Sequence, residues 1–139
     1  MPISPLTGES LVGPSATKEA HGQTILIVDD DVALRHTTAM MLECEGFKVR
    51  SAANGLEALQ ELERNPHIDA ILLDLLMPVM DGRETFHQLR HFWASIPVII
   101  VSGFGLSELG QDPGAAPDGY LHKPFSFAHL TSALCTVLH

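Results

Sequence analysis

Ala70-Ile71-Leu72-Leu73 leaves this chain few folds to choose from. An unbroken apolar run of strand length, with no polar alternation, needs cover on both faces. Such a strand belongs inside a parallel sheet flanked by helices. The run ends in a single carboxylate, Asp74, and a loop follows with Pro78 and the turn pair Asp81-Gly82. In an open parallel sheet the carboxyl ends of the strands share one edge, and ligands bind there.

The remaining segments repeat the same unit. Residues 1–22 mix Pro, Gly, Ser and Thr without periodicity and read as a disordered tail or interdomain linker, so the ordered domain is expected over 23–139. Thr24-Ile25-Leu26-Ile27-Val28 is a strand that runs into Asp29-Asp30-Asp31. Leu34, Thr38, Met41 and Leu42 follow at helical spacing, and Gly46 sits where a helix ends. Phe47–Ser51 alternates and reads as a more exposed strand. Asn54 caps a helix to about Arg64, with Leu56, Ala58, Leu59 and Leu62 as its apolar side. Gly82–Trp93 is helical, with Phe86, Leu89 and either Phe92 or Trp93 facing inward. Pro97–Val101 is a strand ending at Ser102-Gly103.

Residues 104–118 carry Gly105, Gly110, Pro113, Gly114 and Pro117, which oppose a regular helix. The expectation there is a short, irregular and mobile fourth helix. Tyr120-Leu121-His122 is a short strand. Ser126 then caps a last helix whose Phe127, Leu130, Leu134, Val137 and Leu138 form an apolar stripe. Five β-then-α units imply an α/β fold, a parallel five-stranded sheet covered on both faces.

Charge narrows the function. With 17 acidic and 8 basic residues the net charge is −9, which argues against a nucleic-acid surface. No apolar run reaches the roughly 18 residues of a membrane span, and no membrane contact is expected. Cys44 and Cys135 show no pairing signature and read as reduced residues of a cytoplasmic protein. His87 and His91 lie four apart on a helix, where a solvated face is favoured over a metal site.

The sheet edge gathers the chemistry. Asp29 and Asp30 follow the first strand, Asp74 the third, Ser102 the fourth and Lys123 the fifth. One aspartate of the triplet suffices to cap a helix, and three adjacent carboxylates repel one another. A bound cation resolves that repulsion, and hard oxygen ligands suit Mg²⁺ or Mn²⁺. An ammonium and a hydroxyl beside such an ion match the remaining oxygens of a phosphoryl group. Taken singly, Lys123 reads as a surface lysine, Ser102 as a loop serine and Tyr120 as edge packing. Joint occurrence with Asp29, Asp30 and Asp74 reverses that for Lys123 and Ser102.

Four segments carry a family resemblance: Ile25–Asp31, Asp74–Gly82, Pro97–Gly103 and Gly119–Phe125. Together they make residues 23–139 similar to the receiver domains of two-component response regulators. The resemblance implies a flavodoxin-like (βα)5 fold with strand order 2-1-3-4-5. It implies that Asp74 is the phosphoacceptor, taking a phosphoryl group from a histidine kinase or a histidine phosphotransfer domain. Asp29, Asp30, Asp74 and the Leu76 carbonyl would hold Mg²⁺, with Mn²⁺ as an alternative. Lys123 would pair with a phosphoryl oxygen, and Ser102 and Tyr120 would carry the switch. The Lys123–Pro124 bond is expected to be cis. Leu76 and Phe104, both apolar, would shield the phosphoryl group and slow its hydrolysis.

The tail-like start and the run Met80–Phe86 also resemble receivers at the C-terminus of hybrid histidine kinases, so a stand-alone receiver and one drawn from a larger protein are both expected settings. Homodimerisation is left open. Two other readings compete. One is a receiver-like interaction module without phosphorylation. The other is a Mg²⁺ phosphohydrolase, disfavoured because Asp31-Val32-Ala33 does not continue that class's motif after the first strand.

Overall fold

The computed structural model describes residues 22–75, 82–103 and 116–138. The expected tail apart from Gly22, and the expected fourth helix apart from 116–118, lie outside these residues. Within them the elements are β1 (Thr24–Val28), α1 (Val32–Cys44), β2 (Lys48–Ala52), α2 (Gly55–Arg64), β3 (Ala70–Asp74), α3 (Gly82–Phe92), β4 (Val98–Ser102), β5 (Gly119–His122) and α4 (Phe127–Val137).

All strand pairs are parallel and the sheet order is β2-β1-β3-β4-β5, the expected 2-1-3-4-5 flavodoxin-like arrangement. β3 lies at the centre and is buried along its whole length, as its unbroken apolar run requires. β2, at one edge, is the polar strand, with Lys48, Arg50 and Ser51 exposed.

Strand alternation sorts the apolar residues into two cores. Leu26, Val28, Ile71, Leu73, Val98 and Ile100 pack under α2 and α3 with Ala58, Leu62, Phe86 and Leu89. Ile25, Ile27, Ala70, Leu72, Ile99, Val101 and Leu121 pack under α1 and α4 with Leu42, Leu130 and Leu134. Most of these side chains are fully buried, and each contributes about 1.5–3 kcal/mol relative to exposure.

Local signals behave as the sequence implies at most ends. Asp31 caps α1 by accepting from Leu34 N at 3.1 Å. Asn54 caps α2 by accepting from Glu57 N at 2.9 Å, and Glu57 reaches back to Ala53 N. Ser126 caps α4 through His129 N. Gly46, just past α1, has φ of 96°, which a residue with a side chain rarely adopts.

Two apolar assignments, Leu56 and Phe127, need correction, and the choice left open between Phe92 and Trp93 falls to Trp93. Leu56 is 47% exposed, Phe92 62% and Phe127 40%. Trp93, not Phe92, packs against the core. Each of the three exposed residues lies at a helix terminus, where the inward arc of a 3.6-residue period is least constrained by the residues that follow.

One buried carboxylate serves the fold alone. The Glu61 side chain is 6% exposed and bridges Arg64 at 2.7 Å and Arg50 at 2.6 Å. The hydrogen bond from Arg64, then that from Arg50, holds its carboxyl below the ordinary glutamate value near 4.5. A depressed carboxyl stabilises the fold above its unfolded-state value and loses that contribution as pH falls through the folded one. Glu61→Gln is therefore expected to cost about 1–2 kcal/mol at neutral pH. The gap in melting temperature between the two proteins should close as pH drops below about 4.5. A gap that persists unchanged to pH 3 in thermal melts would assign the effect to packing instead.

Candidate functional site

Alternation decides which side chains meet at the sheet edge. Ala70 and Leu72 of β3 face α1 and α4, and Asp74 continues that series. Ile25 and Ile27 of β1 lead to Asp29, and Leu121 of β5 leads to Lys123. Three polar groups from three strand ends thus arrive on one side of the edge.

Lys123 Nζ lies 3.4 Å from Asp74 Oδ2 and 3.6 Å from Asp29 Oδ2. Carboxylate oxygens of Asp29, Asp30 and Asp74 all lie within 4.8 Å of one another. Asp29 and Asp74 are each 5% exposed, whereas Asp30 is open to solvent.

The acidic triplet divides its labour. Asp31 caps the helix. Asp29 extends the β1–β2 ladder through its amide, which donates to Ala52 O at 3.1 Å. Asp29 Oδ1 accepts from Asp31 N at 2.9 Å, which turns its other oxygen towards Lys123. Asp30 is left facing solvent beside the pair.

Charge within the cluster is unbalanced. Three carboxylates against one ammonium leave a formal charge of −2. Two carboxylates at such separations repel by roughly 3–4 kcal/mol at an effective dielectric near 20. A divalent cation held by hard oxygen donors would meet both the charge and the chemistry of this set, so the residues present fit Mg²⁺ or Mn²⁺.

The other expected residues are placed as follows. Ser102 is 1% exposed, and alternation groups it with Val98 and Ile100 in the other core's series. It joins the site through the main chain: Lys123 N donates to Ser102 O at 2.8 Å, and Ser102 pairs with His122 in the ladder. The Lys123–Pro124 bond is cis, as expected. Tyr120 packs, partly buried, against the core under α2 and α3. Its hydroxyl is buried and has no hydrogen-bond partner among the described residues. Leu76 and Phe104 lie outside the described residues. His87 and His91 are both exposed, and the aspartate cluster is the one metal-competent group found among the described residues.

Sequence reasoning missed three contributors. Thr38 of α1 is 3% exposed and, with Phe125, lines the floor of the site beneath Asp29 and Asp74. Arg35 Nη1 donates to Asp29 O at 2.6 Å. Gly82 starts α3 against the end of β3: its amide donates to Leu75 O at 2.9 Å, and a Cβ there would collide with Leu75 Cα and fall 2.6 Å from Asp74 O. The Asp-Gly pair was legible as a turn, but the close approach behind it was not.

Residues 25–135 match the family model of the response regulator receiver domain. The transcriptional regulatory protein CpxR homolog of Haemophilus influenzae is 38% identical over 117 residues, 82% of this chain and 49% of its own length. The chain spans about half the length of such curated relatives. Among solved structures, chemotaxis protein CheY4 of Vibrio cholerae aligns with a TM-score of 0.78 at 30% identity, over 84% of this chain and 99% of that one. The receiver domain of sensor histidine kinase PA1611 from Pseudomonas aeruginosa, solved with a magnesium ion coordinated in its active site cleft, aligns with a TM-score of 0.75 at 31% identity, over 84% and 97%. The chain belongs to the response regulator receiver family of two-component systems, with an acidic pocket at the carboxyl edge of its sheet.

Two stability effects follow from this geometry. Gly82→Ala, which in an ordinary helix would stabilise, is expected to cost about 3 kcal/mol or more because the clash is with backbone. That corresponds to a fall of about 10 °C in a thermal melt; an unchanged melt would show that α3 can start elsewhere. Asp74→Asn removes two repulsions and one attraction of similar size. Without divalent cations it should stabilise by about 1–2 kcal/mol in low-salt denaturant titrations, less at high salt.

Proposed function

We propose that Asp74 is a phosphoacceptor, receiving a phosphoryl group from a phosphohistidine of a histidine kinase or a histidine phosphotransfer domain. The observation that supports this most is the Asp74 carboxylate at the end of the central strand, 3.4 Å from the Lys123 ammonium and inside a three-carboxylate cluster.

In this reading an Asp74 oxygen forms a new bond to phosphorus as the bond between phosphorus and the donor imidazole breaks. The imidazole leaves with the electron pair and takes up a proton. Mg²⁺ or Mn²⁺, held by Asp29, Asp30 and Asp74, supplies positive charge against the phosphoryl oxygens when bound. Lys123 neutralises one phosphoryl oxygen from its position beside Asp74. The Ser102 hydroxyl donates to another, and Tyr120, whose hydroxyl has no hydrogen-bond partner among the described residues, reorients with the surface around β5. The acyl phosphate is itself the output, so the domain acts as a switch and not as a turnover enzyme.

Its partners are proteins of a cytoplasmic phosphorelay. Among the described residues no helix is long and apolar enough to cross a membrane, and the net charge of −9 disfavours direct nucleic-acid contact.

Incubation with Mg²⁺ and acetyl phosphate, read by intact mass, tests the reading. One phosphoryl adduct is expected on the native chain, none on Asp74→Asn, and much less on Asp30→Ala at the same Mg²⁺ concentration. If no adduct forms with acetyl phosphate or with a phosphorylated histidine donor, while Mg²⁺ still raises the melting temperature, the chain is an interaction module and the phosphoacceptor role fails.

A further inference from the structure

Arg35 takes no part in the chemistry above, yet it is bonded to the backbone that carries the cation ligands. It is the one arginine of α1, which has no lysine, and it lies one turn in from the cap. Its guanidinium, partly buried, donates from Nη1 to the main-chain oxygen of Asp29 at 2.6 Å, a short charge-assisted bond.

That bond closes a ring. Asp31 N donates to Asp29 Oδ1, Arg35 N donates to Asp31 O at 2.9 Å, and the Arg35 side chain returns to Asp29 O. The oxygen it grips belongs to the peptide between Asp29 and Asp30. Asp30 is exposed, and its side chain makes no hydrogen bond among the described residues. The orientation of that peptide therefore sets where the Asp30 carboxylate points. The guanidinium also leaves both Asp29 carboxylate oxygens to Asp31 and Lys123.

We infer that Arg35 is a positioning residue that fixes the Asp29–Asp30 peptide for divalent-cation binding; the inference rests on the function proposed above. Its effect has the opposite sign to simple electrostatics. A cation beside a metal site repels the metal, so deleting its charge should tighten binding if charge were its only role. Loss of an orienting partner weakens binding, typically by tenfold or more.

Mg²⁺ titration by calorimetry on the native chain, Arg35→Met and Arg35→Lys separates the two. Arg35→Met is expected to bind Mg²⁺ about tenfold more weakly, with faster exchange of the Asp30 amide in the metal-free protein. Arg35→Lys, which keeps the charge and a donor, should lie nearer the native chain. Phosphoryl adduct formation on Arg35→Met should be slow at limiting Mg²⁺ and restored at saturating Mg²⁺. If Arg35→Met fails to fold, Arg35→Gln is read in its place. Equal or tighter Mg²⁺ binding by the neutral variant, or a lysine variant no better than it, overturns the inference. A native chain that neither binds Mg²⁺ nor forms an adduct removes the proposed function with it, whereas native binding with an unaffected Arg35→Met removes this inference alone.

Discussion

The register of the parallel ladder is the constraint on which everything else rests. Val28 pairs with Leu73, Asp74 with Val101 and Ser102 with His122, so the strand ends arrive at one edge in step. A slip of one residue would invert every side chain of the strand that moved. For β3 it would turn Asp74 away from Asp29 and Lys123, and it would exchange the contributions of Ile71 and Leu73 with those of Ala70 and Leu72. The two cores use residues of different size on the two faces of β3, so neither tolerates the exchange. Burial of ordinary aliphatic side chains thereby positions a charged site that adds no apolar burial of its own.

That site works against the fold that builds it. Three carboxylates share a pocket with one lysine, and two of them are almost wholly removed from water. Such an arrangement persists because its members are anchored by main-chain bonds that do not depend on their charge. Asp29 is held by Ala52 and Arg35, Asp74 by its place in β3, and Lys123 by Ser102. Elsewhere the chain shows the opposite economy. Glu61, equally buried, receives two guanidinium groups and is fully compensated. Against a buried acid with two cations, three acids with one keep a negative charge that a divalent cation would offset.

Much of this was legible from the amino-acid order. The unbroken apolar runs of β1, β3 and β4 gave the parallel sheet, and the polar residues just past them gave the edge. Asn54, Ser126, Gly46 and a cap somewhere in the aspartate triplet were readable because caps and left-handed turns demand particular residue types. What escaped has a common cause. Arg35 acts by bonding a backbone oxygen, Gly82 by making room for a backbone, and Thr38 by lying beneath the acids. Thr38 was legible on the helical period and Gly82 in a turn, but these roles at the site leave no further signal, since the partner is a main-chain atom or a void and not another residue type. Leu56 and Phe127 were misplaced for a different reason: apolar character says that a residue is able to face a core, and the helix ends at which these two sit leave its direction open.

Lys123 links the chemistry at β3 to the strand beyond it. Its ammonium is shared between Asp29 and Asp74 at nearly equal distances, while its own amide holds Ser102 O. On the function proposed above, a phosphoryl group on Asp74 replaces one negative charge with about two, and the ammonium then gains by leaving Asp29 for the new oxygens. The side chain is tethered at its backbone to the end of β4, so its displacement bears on the ladder between Ser102 and His122. Tyr120 sits in that ladder opposite Ile100 with a hydroxyl that no described residue restrains. A buried hydroxyl without a partner costs free energy, so a rearrangement that gives it one recovers that cost. On that function the path from acceptor to surface needs no long chain of contacts: it would cross two adjacent strands, from an ion pair to a main-chain hydrogen bond to a hydroxyl with no partner among the described residues.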